Sequence, residues 1–138
     1  MNIKNLVVDT NIVISATISA HGTPAKIMGL FSDKKVRIYY NDEILAEYKR
    51  VLAYERLKIE PQKQAEIIDM IKRDGIYNKP DKISNISLPD ESDRIFYDTA
   101  ITSGAILITG NRKHFPPDEP FILTPAQFDA QGGFAHKS

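Results

Sequence analysis

The chain contains no cysteine in its 138 residues. That excludes a disulfide framework, thiolate zinc sites and a thiol nucleophile, and it suits a reducing compartment. A surplus of either charge is also missing, since 18 Lys and Arg balance 18 Asp and Glu. With no global positive field, a nucleic-acid partner would have to be held by a local basic patch or through bound metal. Long apolar runs are lacking too. The longest near the start, Leu6 to Ala20, is interrupted by Asp9 and Asn11, which fits neither a spanning helix nor a signal peptide. The expectation is a cytoplasmic protein with no membrane part. There is no internal repeat, low-complexity tract or linker. The length suits one domain, taken as residues 1–130 with a loose tail over 131–138. That is enough chain to bury a core without a structural metal.

Short apolar runs alternate with helical patterns. Ile3 to Val8 is rich in β-branched residues and reads as a strand buried on both faces. Thr23 is the expected cap of a helix that has Pro24 in its first turn and runs on to Phe31. Val36 to Tyr40 is a second strand. Asn41 or Asp42 caps a helix over 42–54, whose Ile44, Leu45, Tyr48, Val51 and Leu52 form one apolar stripe. Pro61 opens another helix, with Ile67, Ile68 and Ile71 inward and Gly75 at its end. A short strand is expected near 83–86, and then a helix over 91–103 closed by Gly104. Ala105 to Thr109 is a third clear strand, Phe121 to Leu123 an edge strand, and Pro125 starts a last short helix. This alternation predicts an α/β fold with a mainly parallel sheet.

Four residues stand where chemistry is expected. Asp9 ends the first strand, at the sheet edge where open parallel sheets bind ligands. It reads equally well as a strand terminator that caps the next turn. Asp93 shares a helix face with Phe96, Tyr97 and Ala100, so it points toward the core. A first-turn acid favours the helix dipole, and Asp90 can serve as cap, but neither fact explains an inward carboxylate. Glu47 lies at the border of the apolar stripe of its helix, and taken singly it reads as a solvated acid paired with a Lys or Arg one turn away. Asn111 follows the third strand, where Gly110-Asn111 is also simply a turn.

Together the four carry more weight than any one of them. Helices that follow parallel strands begin at the carboxyl edge, so three carboxylates and an amide share one edge. Like charges that close need a cation or a proton. Hard oxygen donors without Cys favour Mg²⁺ or Mn²⁺, and such ions suit phosphodiester hydrolysis. Arg112, Lys113 and His114 follow Asn111 and would meet phosphates, or would form an ordinary solvated loop. His21 and His136 read as surface residues. Tyr39 and Tyr40 read as core or sheet-edge residues, with base stacking as the functional alternative.

The runs VVDTNIVISA at 7–16, EILAEY at 43–48, LPDESDRIFYDTA at 88–100, ILITGNRKHFP at 106–116 and TPAQF at 124–128 resemble PIN-domain proteins. In particular they resemble the VapC-like ribonuclease toxins of toxin–antitoxin pairs, over about Lys4 to Phe128. The resemblance implies a three-layer α/β/α sandwich and an acidic cluster. The acids map onto Asp9, Glu47 and Asp93, and the fourth position, usually Asp, is Asn111 here. It further implies that Asp9 and Asp93 hold Mg²⁺ or Mn²⁺ directly. Glu47 would hold a coordinated water or a second ion, Asn111 would complete the site, and Thr10 would orient Asp9 by a hydrogen bond. The implied partners are an RNA substrate, a cognate antitoxin and a second copy in a homodimer. Asn111 adds no charge, so a catalytically weak PIN-like binding module is a competing expectation. A Mg²⁺-binding phospho-acceptor receiver is another, although the paired acids and middle-strand Asp of that fold are not seen.

Overall fold

The computed structural model describes residues 3–134. Five strands form one parallel sheet in the order β3-β2-β1-β4-β5. They are β1 (Lys4–Val8), β2 (Val36–Tyr40), β3 (Ile76–Tyr77), β4 (Ile106–Ile108) and β5 (Ile122–Leu123). The helices are α1 (Thr10–Ile18), α2 (Thr23–Ser32), α3 (Asp42–Leu52), α4 (Pro61–Asp74), α5 (Arg94–Ser103) and α6 (Pro125–Ala130). Helices α2 and α4 lie on β2, while α5 crosses β1, β2 and β4. The result is the expected α/β sandwich. From β1 the chain steps outward to β2 and β3, then returns to the other side of β1 for β4. The β1–β4 seam is therefore the switch point of the topology, where such sheets open a crevice at their carboxyl edge.

The carboxyl-terminal part of the central strand has no face toward water. Leu6, Val7 and Val8 are fully buried, as are Ile38 of β2 and Leu107 and Ile108 of β4. Each such side chain contributes roughly 1.5–3 kcal/mol through burial. The register sets Val7 opposite Leu107 and Val8 opposite Ile108, so both strands end at the same level.

Several local expectations need correction. Residues 10–18 form helix α1, which the β-branched run Ile12-Val13-Ile14 conceals because such residues favour strands. Burial of those three side chains overrides the propensity. The cap of α2 is Gly22, one residue before Thr23. No strand forms at 83–86, and Ile83 is 85% exposed. The backbone of that segment is engaged by side chains of α5 instead. Arg94 donates to the Ser84 and Ile86 carbonyls, and Asp98 accepts from the Ser84 N–H. The outer strand on that side is β3, paired with Tyr39 and Tyr40. Of the expected tail, 131–134 is a turn in which Phe134 sits edge-on to Phe128 at 5.5 Å; His136 lies outside the described residues.

Gly104 ends α5 in the left-handed conformation expected of a helix-terminating glycine. Gly75 ends α4 for a different reason. Its backbone is extended, but an added Cβ would lie 2.4 Å from the Ile71 carbonyl oxygen and 2.9 Å from the Tyr40 ring. Gly75→Ala is expected to lower unfolding free energy by about 1–3 kcal/mol through overpacking. Urea denaturation checks this, and an unchanged midpoint would mean that the β2–α4 junction yields without cost.

Candidate functional site

The carboxyl ends of β1 and β4 deliver Asp9 and Thr109 side by side. Asp9 is buried and both of its oxygens are engaged. Its Oδ1 accepts from the Thr10 backbone N–H at 2.8 Å, and its Oδ2 accepts from the Thr109 hydroxyl at 2.8 Å. The strand-terminating and capping role is thus real, since Asp9 caps α1. A carboxylate oxygen has about two acceptor positions, so each oxygen keeps one free. Thr10 does orient Asp9, but through its backbone; its own hydroxyl is buried without a partner. The hydroxyl that fixes Asp9 belongs to Thr109, which sequence reading did not single out. The signal would have been a threonine at the end of the neighbouring strand, visible only once the β1–β4 register is known. Tyr48 is another residue missed. It is fully buried and donates its hydroxyl proton to the Val8 carbonyl, pinning the end of β1 from α3. Burial, and then the charge of Asp9, push its pKa well above the usual tyrosine value.

Asp93 stands at the start of α5 and is buried as the helix-face pattern predicts. It occupies the cap position of α5, but its side chain makes no capping hydrogen bond. Asp90 takes the capping role for the preceding 3-10 turn, accepting from the Ser92 N–H and hydroxyl. Asp93 Oδ2 is buried with no hydrogen-bond partner. His114 Nδ1 lies 3.1 Å from it, near enough for an ion pair but off the axis of a hydrogen bond, so their contact is electrostatic. Burial first, then the charge of Asp9, raise the Asp93 pKa to about 6. The Asp9 pKa is raised as well, again chiefly by burial, and the hydrogen bonds from Thr109 and Thr10 act against the rise. Two buried carboxylates therefore lie near enough for the charge of Asp9 to be felt at Asp93, in poorly solvated surroundings.

The other two candidates stand closer to their bland readings. Glu47 is held by Arg50, which donates to both carboxylate oxygens at 3.2 and 2.9 Å. It still contributes negative charge that Asp9 senses. Asn111 Nδ2 lies 2.9 Å from His114 Nε2. With the amide donating, the ring proton sits on Nδ1, toward Asp93, and the fourth position reaches the acids through a histidine. Arg112 is spent on structure, donating to the Phe115 and Pro117 carbonyls, while Lys113 is exposed. His21 is exposed, as expected. Among the described residues, no three His, Asp or Glu side chains close into a ready metal cage. Asp9 and Asp93 nevertheless fit a divalent cation: the orphaned Asp93 oxygen is buried beside a second carboxylate, and both donors are hard oxygens.

A groove of about 660 Å³ runs alongside, between α3, α5 and the 79–83 segment. It shares only Glu47 with the candidate residues, and six carboxylates against three cations line it.

The PIN-domain family model matches residues 5–113, which span β1 through the turn after β4. This chain belongs to the PIN-domain family. PIN domains are typically nucleases that use divalent metals, so nuclease chemistry on a nucleic acid is the general activity of this fold, and the receiver alternative falls away. The chain is also 30% identical to an uncharacterized protein of Methanocaldococcus jannaschii over 110 residues, covering 78% of this chain and 70% of the relative. No helix among the described residues is long and apolar enough to cross a membrane.

The raised pKa of Asp93 has a sign that can be tested. A carboxylate whose pKa rises on folding penalises the folded state wherever it must ionise. The penalty is full above about 6 and absent below the ordinary 3.8. In EDTA, Asp93→Asn is therefore expected to stabilise the protein at neutral pH, with the gain shrinking as pH falls through this window. Thermal melts of both proteins across that range check it; a gain that grows on acidification would contradict the like-charge crevice.

Proposed function

We propose that this PIN domain is a metal-dependent endoribonuclease that hydrolyses RNA phosphodiester bonds with Mg²⁺ or Mn²⁺. The observation that carries this reading is the buried Asp93 oxygen near Asp9 at the switch point of the sheet, which accepts no hydrogen bond and has only the His114 ring 3.1 Å away. A carboxylate left this way costs stability unless a cation or proton compensates it. Asp9 and Asp93 would hold the ion, and Thr10 and Thr109 keep the Asp9 carboxylate turned toward it. Glu47 would join after leaving Arg50. Asn111 would offer an oxygen without charge, or steady His114. When bound, such an ion activates water and stabilises the leaving oxygen. The protein residues position the carboxylates and limit solvent around them.

The role of toxin in a toxin–antitoxin pair, acting in the cytoplasm as a single domain and a homodimer, is the finer part of the same proposal. It is supported by the sequence resemblance to VapC-like toxins. Expression that arrests growth, relieved by the product of an adjacent small gene, would support the toxin role; growth unaffected by active enzyme would remove it. A competing reading, a weak PIN-like binding module, is favoured by the engagement of Glu47 with Arg50 and of Asn111 with His114, which leaves two carboxylates for metal.

Purified protein is expected to cut a mixed RNA pool only with Mn²⁺ or Mg²⁺. Asp93→Asn should lose at least about 100-fold in rate, the order expected when a principal electrostatic group of a site is removed. Equal cutting by both proteins would point to contamination and remove Asp93 from the site. Metal-independent RNA binding without cutting would favour the binding module. In the same assay Asn111→Asp should tighten Mn²⁺ binding; unchanged affinity would mean that position 111 does not limit the site.

A further inference from the structure

Arg50 is tied in two directions. Its guanidinium clamps Glu47 on one side, and on the other it donates to the Tyr54 hydroxyl with its Cζ 5.6 Å from the Tyr54 ring centroid. Arg56 adds a second guanidinium 5.0 Å from the same centroid. Two cations thus share one half-buried aromatic ring directly beyond a candidate site acid. The sequence around them is locally basic: between 49 and 58, Lys49, Arg50, Arg56 and Lys58 face a single acid, Glu55, in a chain with no net charge. This is the local basic patch that a polyanion partner of a neutral protein requires. The alternative approach, along the neighbouring groove, is lined by more acids than cations and is the less favourable one for phosphates.

We propose that Arg50 and Arg56, stacked about Tyr54, form the phosphate-binding cluster for a single-stranded RNA backbone entering the site, and that Glu47 holds Arg50 in reserve until a divalent cation takes over its carboxylate. This inference rests on the ribonuclease reading. The Arg50–Glu47 pair is accessible, with side-chain exposures of 53% and 24%, so exchanging one partner for another is cheap. A guanidinium braced by an aromatic face loses little freedom when it meets a phosphate and can bind it bidentately. Metal and RNA would then favour each other: the ion takes Glu47, and the released Arg50 takes a phosphate.

The test uses a short fluorescein-labelled single-stranded RNA of mixed sequence, followed by anisotropy in EDTA at several salt concentrations, and separately a calorimetric Mn²⁺ titration without RNA. Arg50→Ala and Arg56→Ala are each expected to weaken RNA binding and to lower the salt slope by about 0.7. Glu47→Gln should tighten RNA binding in EDTA, and the gain should vanish in the Arg50→Ala background, because it acts through that side chain. Arg50→Ala should raise Mn²⁺ affinity about two- to fivefold by freeing Glu47. If the unmodified protein binds and cuts RNA while the arginine variants bind equally well with the same slope, the phosphate cluster is wrong. If Mn²⁺ affinity is unchanged or falls in Arg50→Ala, the reserve role of Glu47 is wrong. If the unmodified protein neither binds nor cuts RNA, the ribonuclease reading and the phosphate role fall together, and the Mn²⁺ titration still decides the Glu47–Arg50 exchange.

Discussion

The parallel pairing of β1 with β4, Val8 opposite Ile108, governs the rest of the site. It is a hydrophobic constraint first, since these strands lie in the fully buried middle of the sheet. Its chemical effect comes one residue further on, where the same register brings Asp9 against Thr109 and leaves the carboxylate few ways to be solvated. Asp93 then arrives from the 3-10 turn that leads directly into α5, the helix packed across β1, β2 and β4. The repulsion between the two acids is thus imposed by the core. Core packing stabilises the fold by far more than the strain at one edge costs, so a crevice receptive to cations can persist at the rim of a stable sheet.

Around Asp9, which hydrogen bonds hold in place, the other acids have partners that can be exchanged. Glu47 has Arg50, Asp93 has His114, and Asn111 supports His114 from the other nitrogen. Buried Asp98, by contrast, has a fixed task. With Arg94 it fastens the backbone of the segment before α5, in place of the strand pairing that segment lacks. Two acids five residues apart on one stretch of chain therefore differ in kind. Asp98 receives a backbone N–H, while Asp93 keeps an oxygen with no hydrogen bond at all.

The order and type of most elements were legible because their causes are local. Asn41 caps α3 by accepting from the Ile44 N–H, Gly104 ends α5, and the alternation of strand and helix implies the parallel sheet. Helix α1 was not legible, because its β-branched residues are helical only through burial against neighbours distant in sequence. The expected strand at 83–86 failed for the converse reason, since the strand-like backbone found its partners in the side chains of α5.

The amino-acid sequence alone determined the placement of Asp9 at a strand end and the inward direction of Asp93, because strand and helix periodicities are properties of a short stretch of chain. Family membership was legible in the same runs. Only the tertiary structure decided that Thr109 rather than the Thr10 hydroxyl secures Asp9, that Tyr48 pins the end of β1, and that Glu47 is held by an arginine braced on Tyr54. The first two depend on which strands and helices meet across the core. The third depends on which of several nearby cations the packing lets Glu47 reach, a choice that spacing along one helix leaves open.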